Sequence, residues 1–182
     1  MKTNVKIITV GAVTVALTAV LGLLPYVFLV PLLFTCVTRD WKLSLLEGMF
    51  FGILSYVYSF MSATPVGVTF IQNPWIPILP RILVALGCHF VYAGLKKVVK
   101  GEKANIAVPV TVACAIGSLL NTGLVVPLLL WRGGSLFAAI IVETLIAAAI
   151  ELAVAVVIVP PVAITVGKAL RLPGYIKIKK EI

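Results

Sequence analysis

From Ile106 to Leu130 the chain reads IAVPVTVACAIGSLLNTGLVVPLLL, without one charged residue. About 20 apolar residues at a 1.5 Å rise cross the ~30 Å hydrocarbon core of a bilayer. Lipid offers no partner for backbone N–H and C=O groups, so a segment of this kind bonds internally, as a helix. Similar runs cover Val5 to Leu24, Leu43 to Met61, Trp75 to Val99 and Ser135 to Ala169. The last is longer than one span needs, and Pro160 and Pro161 must kink or end it. A further run, Tyr26 to Val37, is short and contains Pro31, so it is expected to be tilted, kinked or partly re-entrant. The composition agrees: 62% hydrophobic and 12% charged residues, against roughly 45–50% and 25% in soluble domains. The chain is expected to be an all-α integral membrane protein with six transmembrane helices, and residues 1–182 a single membrane domain.

The net charge of +9 does not form a nucleic-acid footprint, because the basic residues sit in short loops and at the ends. They act as a topology signal. Six spans put both termini on one side. With that side cytoplasmic, the inner segments hold Lys2, Lys6, Arg39, Lys42, Lys96, Lys97, Lys100, Lys103, Lys168, Arg171, Lys177, Lys179 and Lys180. The outer segments hold Arg132 alone, and Arg81 lies in the membrane. The uncharged segment Ser62 to Trp75 is therefore expected outside. The first run has a basic start but no small-residue cleavage site followed by a mature soluble domain, so it is read as a retained helix and not a cleaved signal.

Arg81 belongs to the stretch FIQNPWIPILPRILVAL, Phe70 to Leu86. An arginine in a span costs roughly 2.5–3.5 kcal/mol at the centre of a bare helix, so it is kept for a counter-charge, a wet cavity or an anionic ligand, or it snorkels near the helix end with its stem in apolar surroundings and its head at the interface. Measured from Trp75, Arg81 falls about 9 Å down the fourth span. Glu143 falls about 12 Å below Ser135 on the sixth, and Asn121 about 15 Å below Trp131 on the fifth. These three polar groups are expected in one outer layer. Facing points the same way: Arg81, Ala85, Cys88 and Tyr92 share a stripe, as do Cys114, Gly117, Ser118 and Asn121, and Ser55, Tyr58 and Ser62. Such stripes line a cavity or pack helices together. Arg81 pairs either with a ligand or with Glu143. Glu47 and Glu151 are placed near the inner ends, bonded to lysines or a partner subunit, and His89 is read as a satisfied core histidine.

Several function classes are excluded. There is no Gly-x-x-x-x-Gly-Lys-Ser/Thr, no His-Glu-x-x-His and no Gly-x-Ser-x-Gly. Gly117–Ser118 and His89 lack the flanking residues of an intramembrane serine protease. His89 is the sole histidine, and Cys36, Cys88 and Cys114 form no Cys-x-x-Cys, so neither a metal site nor a disulfide is expected. The chain is read as a binding protein and not an enzyme, with no cofactor. Helix one carries a small-residue face at Gly11, Ala12, Ala16 and Ala19, suited to close helix packing.

With NPWIPILPR opening the fourth span, GSLLNT in the fifth and AVTVA in the first, the chain resembles the substrate-binding S components of energy-coupling factor (ECF) vitamin transporters, most closely the pantothenate-type branch. The resemblance covers nearly the whole chain. It implies a six-helix membrane fold in the cell membrane, a vitamin site near the outer face, and as partners a membrane T component and two ATPase subunits. It also implies that Ala12 and Ala16 dock on the T component. Pantothenate has one carboxylate, hydroxyls and an amide, which match Arg81, Asn121, Asn73 and Tyr58 in kind, and Trp75 and Glu143 complete the expected site. Folate also carries carboxylates and stays open as the ligand. Two other classes stay open: a proton-coupled carrier using Glu143 or Glu151, and a non-transport scaffold subunit.

Overall fold

A computed structural model describes residues 3–24, 26–38, 40–62, 64–99, 104–170, 172 and 175. Lys2, Arg39, Lys100, Lys103, Arg171, Lys177, Lys179 and Lys180, which carry much of the expected charge asymmetry, lie outside the described residues. The described residues form helices and turns without a strand: α1 (Thr3–Leu21), α2 (Val30–Cys36), α3 (Trp41–Ser59), α4 (Pro65–Gln72), α5 (Trp75–Val98), α6 (Ala104–Ala138), α7 (Ile141–Val157) and α8 (Val159–Ala169).

Local chemistry sets the helix ends. Asp40 caps α3, its Oδ1 accepting from the backbone N–H of Lys42 (3.0 Å) and Leu43 (3.2 Å). Thr64 caps α4 by accepting from the Gly67 N–H at 3.2 Å, and Pro65 follows where a missing N–H is harmless. Pro160 and Pro161 stand in the first turn of α8, so the long sixth run breaks at Ile158 into α7 and α8. Gly134 has φ 52 and ψ −134, a conformation that suits glycine, and it breaks the helical path of α6.

Three helical lengths are long and apolar enough to cross a membrane: Trp75–Val98, Ile106–Ser135, and Ile141–Ala169, which spans α7 and α8. This is an all-α membrane protein. The second apolar run is helical only over the seven residues of α2, about 10 Å, far short of the ~30 Å hydrocarbon core. It is nevertheless the most buried element, with every residue from Pro31 to Cys36 inside. Leu32, Leu33, Cys36 and Val37 sit at the centre of the main core with Val84, Ala85 and Cys88 of α5 and Val110, Ala113 and Cys114 of α6.

The most extensive packing joins α5 to α3 on one side and to α6 on the other. Gly48 and Gly52 make the first of these contacts possible. A Cβ on Gly48 would lie 2.7 Å from the Ala85 Cβ and 2.9 Å from the Arg81 carbonyl oxygen. One on Gly52 would lie 2.7 Å from the Ile78 Cα. Small residues at i and i+4 thus bring two backbones into direct contact. The sequence points to this spacing on helix one; the structure puts it on α3. On α1 the corresponding Ala12 and Ala16 are exposed.

Candidate functional site

A cavity of about 550 Å³ opens between α3, α4, α5, α6 and α7. Each helix contributes residues at helical spacing. From α3 come Phe51, Leu54, Ser55, Tyr58 and Ser59; from α6 Asn121, Thr122, Val125, Val126 and Leu129; from α7 Thr144, Ala147, Ala148 and Glu151. Phe70 of α4 and Arg81 of α5 close the remaining walls, and Gly22, Tyr26 and Phe28 reach in from the α1–α2 connection.

Arg81 is the central group. It is 5% exposed, and its guanidinium carbon stands 5.8 Å from the Phe51 ring centre and 5.3 Å from that of Phe70. The two ring faces attract the cation but accept no conventional hydrogen bond in the plane of the guanidinium. Nε and Nη1 have no hydrogen-bond partner among the described residues. A buried donor left this way costs about 1–3 kcal/mol, more when charged, so the arrangement is poised for an acceptor. The α3–α5 contact fixes where the side chain starts, because Gly48 packs against the Arg81 backbone itself.

Asn121 is 6% exposed, and its Oδ1 also has no partner among the described residues. The hydroxyls on α3 donate backwards along their own helix, Ser55 to the Phe51 carbonyl (2.9 Å) and Ser59 to the Ser55 carbonyl (2.7 Å). Their oxygen lone pairs remain as acceptors. The Tyr58 hydroxyl donates to the Ala19 carbonyl of α1, which orients the ring at the cavity wall. The cavity therefore presents one cation, several neutral acceptors and a carboxylate within a largely aromatic and aliphatic lining. That is the usual make-up of a small-molecule site, apolar with a few placed polar groups.

Of the residues expected at the site, Arg81, Asn121 and Tyr58 share this cavity, whereas Asn73, Trp75 and Glu143 are not among its lining residues. Asn73 ends α4, its side-chain amide donating to the Thr69 carbonyl at 3.2 Å. Trp75 meets Trp131 edge to face, with ring centres 6.3 Å apart. Glu143 is exposed in the first turn of α7. Its expected depth assumed a helix running unbroken from Ser135, but a turn at Ala139 and Ile140 restarts the helix at Ile141.

Glu151 differs from expectation, which places it at the inner end of a long helix. Because α7 begins at Ile141 and ends at Val157, Glu151 lies about 15 Å along it, and it lines the cavity with Arg81. The signal was present as the spacing Thr144, Ala147, Ala148, Glu151, which is i, i+3, i+4, i+7 and one helix face. Glu143 is one residue off that face. The charges of Glu151 and Arg81 attract each other.

Glu47 also departs from expectation. It is fully buried, and its carboxylate accepts from the hydroxyls of Thr14 (3.3 Å) and Thr18 of α1, not from an inner-surface lysine. His89 is buried, with Nδ1 3.1 Å from the Cys36 carbonyl oxygen and 3.5 Å from the Ser44 hydroxyl, as a satisfied core histidine should be. Cys36, Cys88 and Cys114 are free and buried. Comparison with models of known protein families and with curated proteins returns no match.

Proposed function

We propose that this chain is the membrane-embedded, vitamin-binding S component of an ECF-type importer. It captures a small anionic vitamin, pantothenate by preference, from the outside and hands it to a shared ATP-driven module. The observation that carries this reading is Arg81, buried at a cavity wall with two N–H-bearing nitrogens unpartnered. A ligand carboxylate supplies the acceptor those groups lack, through charge-assisted bonds. Asn121, Tyr58 and the serines of α3 are on hand for hydroxyl and amide groups of the same ligand. The resemblance of NPWIPILPR, GSLLNT and AVTVA to the pantothenate-type branch supplies the vitamin and the partners: a membrane T component and two ATPase subunits.

In this reading α1, α2, α3, α5, α6 and the α7–α8 pair are the six membrane passes, with α2 incomplete, α4 outside and both termini cytoplasmic. Ala12 and Ala16, exposed on α1, are the surface for the T component. Ligands released from the purified protein should include pantothenate by mass spectrometry, and calorimetry should show saturable binding of added pantothenate. Absence of both refutes the reading. Uptake that persists without ATPase subunits and collapses with the proton gradient would favour a proton-coupled carrier built on Glu151 instead.

A further inference from the structure

We infer that one end of this bundle is a binding surface for anionic lipid headgroups, assembled from the last turns of α5 and α8 and from the chain that follows Tyr175. The inference is independent of what the cavity binds.

Two of the lengths able to cross a membrane, Trp75–Val98 and Ile141–Ala169, finish in lysines. Lys96 and Lys97 stand in the last turn of α5, and Lys168 stands in the last turn of α8. A lysine at the end of a span extends its stem along apolar surface and holds its ammonium at headgroup level. Beyond α8 the chain turns back into the protein. The Leu172 N–H donates to the Gly167 carbonyl (2.8 Å) and the Tyr175 N–H to the Leu172 carbonyl (3.1 Å). Both side chains are buried in the main core. The Tyr175 ring lies on Gly167 of α8, where an added Cβ would stand 2.5 Å from its Cγ. Its hydroxyl donates to the Val37 carbonyl at 2.9 Å and meets Tyr92 of α5. Tyr92 precedes Lys96 by one turn. One side chain thus joins the basic ends of α5 and α8 and shows that both helices finish on the same side.

The sequence continues from Tyr175 as Ile-Lys-Ile-Lys-Lys-Glu-Ile, with Lys177, Lys179 and Lys180 against one acid, Glu181. Two residues of chain reach at most about 7 Å, so burial of Tyr175 keeps Lys177 at the same end as Lys96 and Lys97. Three segments far apart in sequence therefore deliver lysines to one edge of the membrane. Clustered cations next to a span attract anionic lipid. Ile176 and Ile178 between the lysines suit the boundary of headgroups and acyl chains. Lipid phosphate is favoured over an acidic protein because the lysines of α5 and α8 close membrane spans, where headgroups are already in place.

The test places the full-length protein in phosphatidylcholine bilayers with spin-labelled phosphatidylglycerol or spin-labelled phosphatidylcholine as the probe. The fraction of each probe slowed by the protein gives its relative association. Phosphatidylglycerol should associate at least threefold more strongly with the wild type, and the preference should shrink at high salt. Lys177→Gln, Lys179→Gln and Lys180→Gln together should at least halve it with the melting temperature unchanged. Tyr175→Ala keeps every lysine but removes the anchor, and it should lower the preference as far as the triple variant does. No preference in the wild type overturns the inference and leaves the patch to an acidic protein surface. A full preference in the triple variant overturns it as well. A full preference in Tyr175→Ala overturns the part given to Tyr175, and if that variant does not fold, the triple variant still decides whether the tail binds lipid.

Discussion

Truncating Arg81 separates a ligand-binding arginine from a structural one, because the two roles move affinity and stability in different directions. In the ligand-free protein Arg81→Ala removes the attraction to Phe51 and Phe70, about 0.5–2 kcal/mol per ring. It also removes a buried cation with two unsatisfied nitrogens, relieving a cost of about 1–3 kcal/mol for each unsatisfied group. The terms are of similar size and opposite sign, and the attraction of Glu151, also lost, acts on Arg81 less strongly than its burial, so ligand-free stability should change little. Affinity has no such compensation. A charge-assisted bond contributes about 1.5–3 kcal/mol net, so pantothenate binding should weaken by about 10- to 150-fold. Arg81→Lys should recover only part, since an ammonium lacks the planar fork. The measurements are calorimetric affinity and thermal stability without ligand, for Arg81→Ala alone and with Glu151→Gln. If Arg81 serves only to neutralise Glu151, the single variant should lose stability and the double variant regain it, with affinity unaffected throughout. That outcome would refute the reasoning. Glu143→Gln, on an exposed residue away from the cavity, should alter neither quantity.

Four further outcomes can be checked. Gly48→Ala puts a methyl 2.7 Å from the Ala85 Cβ and 2.9 Å from the Arg81 carbonyl oxygen; overpacking of this kind costs about 1–3 kcal/mol, and ligand affinity should fall with the melting temperature because the Arg81 backbone is displaced. Thr18→Val leaves a Glu47 oxygen without its donor in a buried site and should lower stability by about 1–3 kcal/mol in detergent denaturation. Ala12→Trp should block uptake by the assembled transporter while leaving pantothenate affinity of the isolated chain within about twofold, as expected of a bulky residue at a helix-docking surface; equal loss of both would make α1 a packing helix only. In a cysteine-free background, Val68→Cys should react with an impermeant thiol reagent from outside intact cells and Lys97→Cys should not, as the positive-inside rule requires; the reverse pattern overturns the orientation.

The membrane class was legible because hydropathy over twenty residues is a sum to which many side chains contribute. No single misreading changes it. Arg81, Asn121 and Tyr58 were legible as well, being polar groups within apolar runs, where each needs a reason. Facing and depth were harder, because they depend on where a helix starts. The reading of Glu143 rested on a helix beginning at Ser135; the turn at Ala139 and Ile140 restarts it, and each residue of shift rotates a side chain by about 100°. The same shift hid Glu151. The partner of Glu47 was hidden for a different reason: threonines inside a helix ordinarily bond their own backbone, as Thr14 and Thr18 also do here, and nothing in the spacing says that they will serve a carboxylate on another helix.

The arrangement of α3 explains why a cavity with an unsatisfied cation survives in so small a protein. Glu47 ties α3 to α1 through Thr14 and Thr18. Gly48 and Gly52 seat it against the α5 backbone. Phe51, Ser55, Tyr58 and Ser59 then line the cavity on a neighbouring face of the same helix. A close backbone approach thus lies beside a side chain with two unpartnered nitrogens. Interdigitated helices of this kind resist sliding, so the Arg81 backbone is held where the α3–α5 contact puts it. An acceptor brought in by a ligand supplies the missing bonds with no backbone movement. On the proposed reading, a molecule that delivers an acceptor at the guanidinium relieves the cost of those missing bonds, about 1–3 kcal/mol for each.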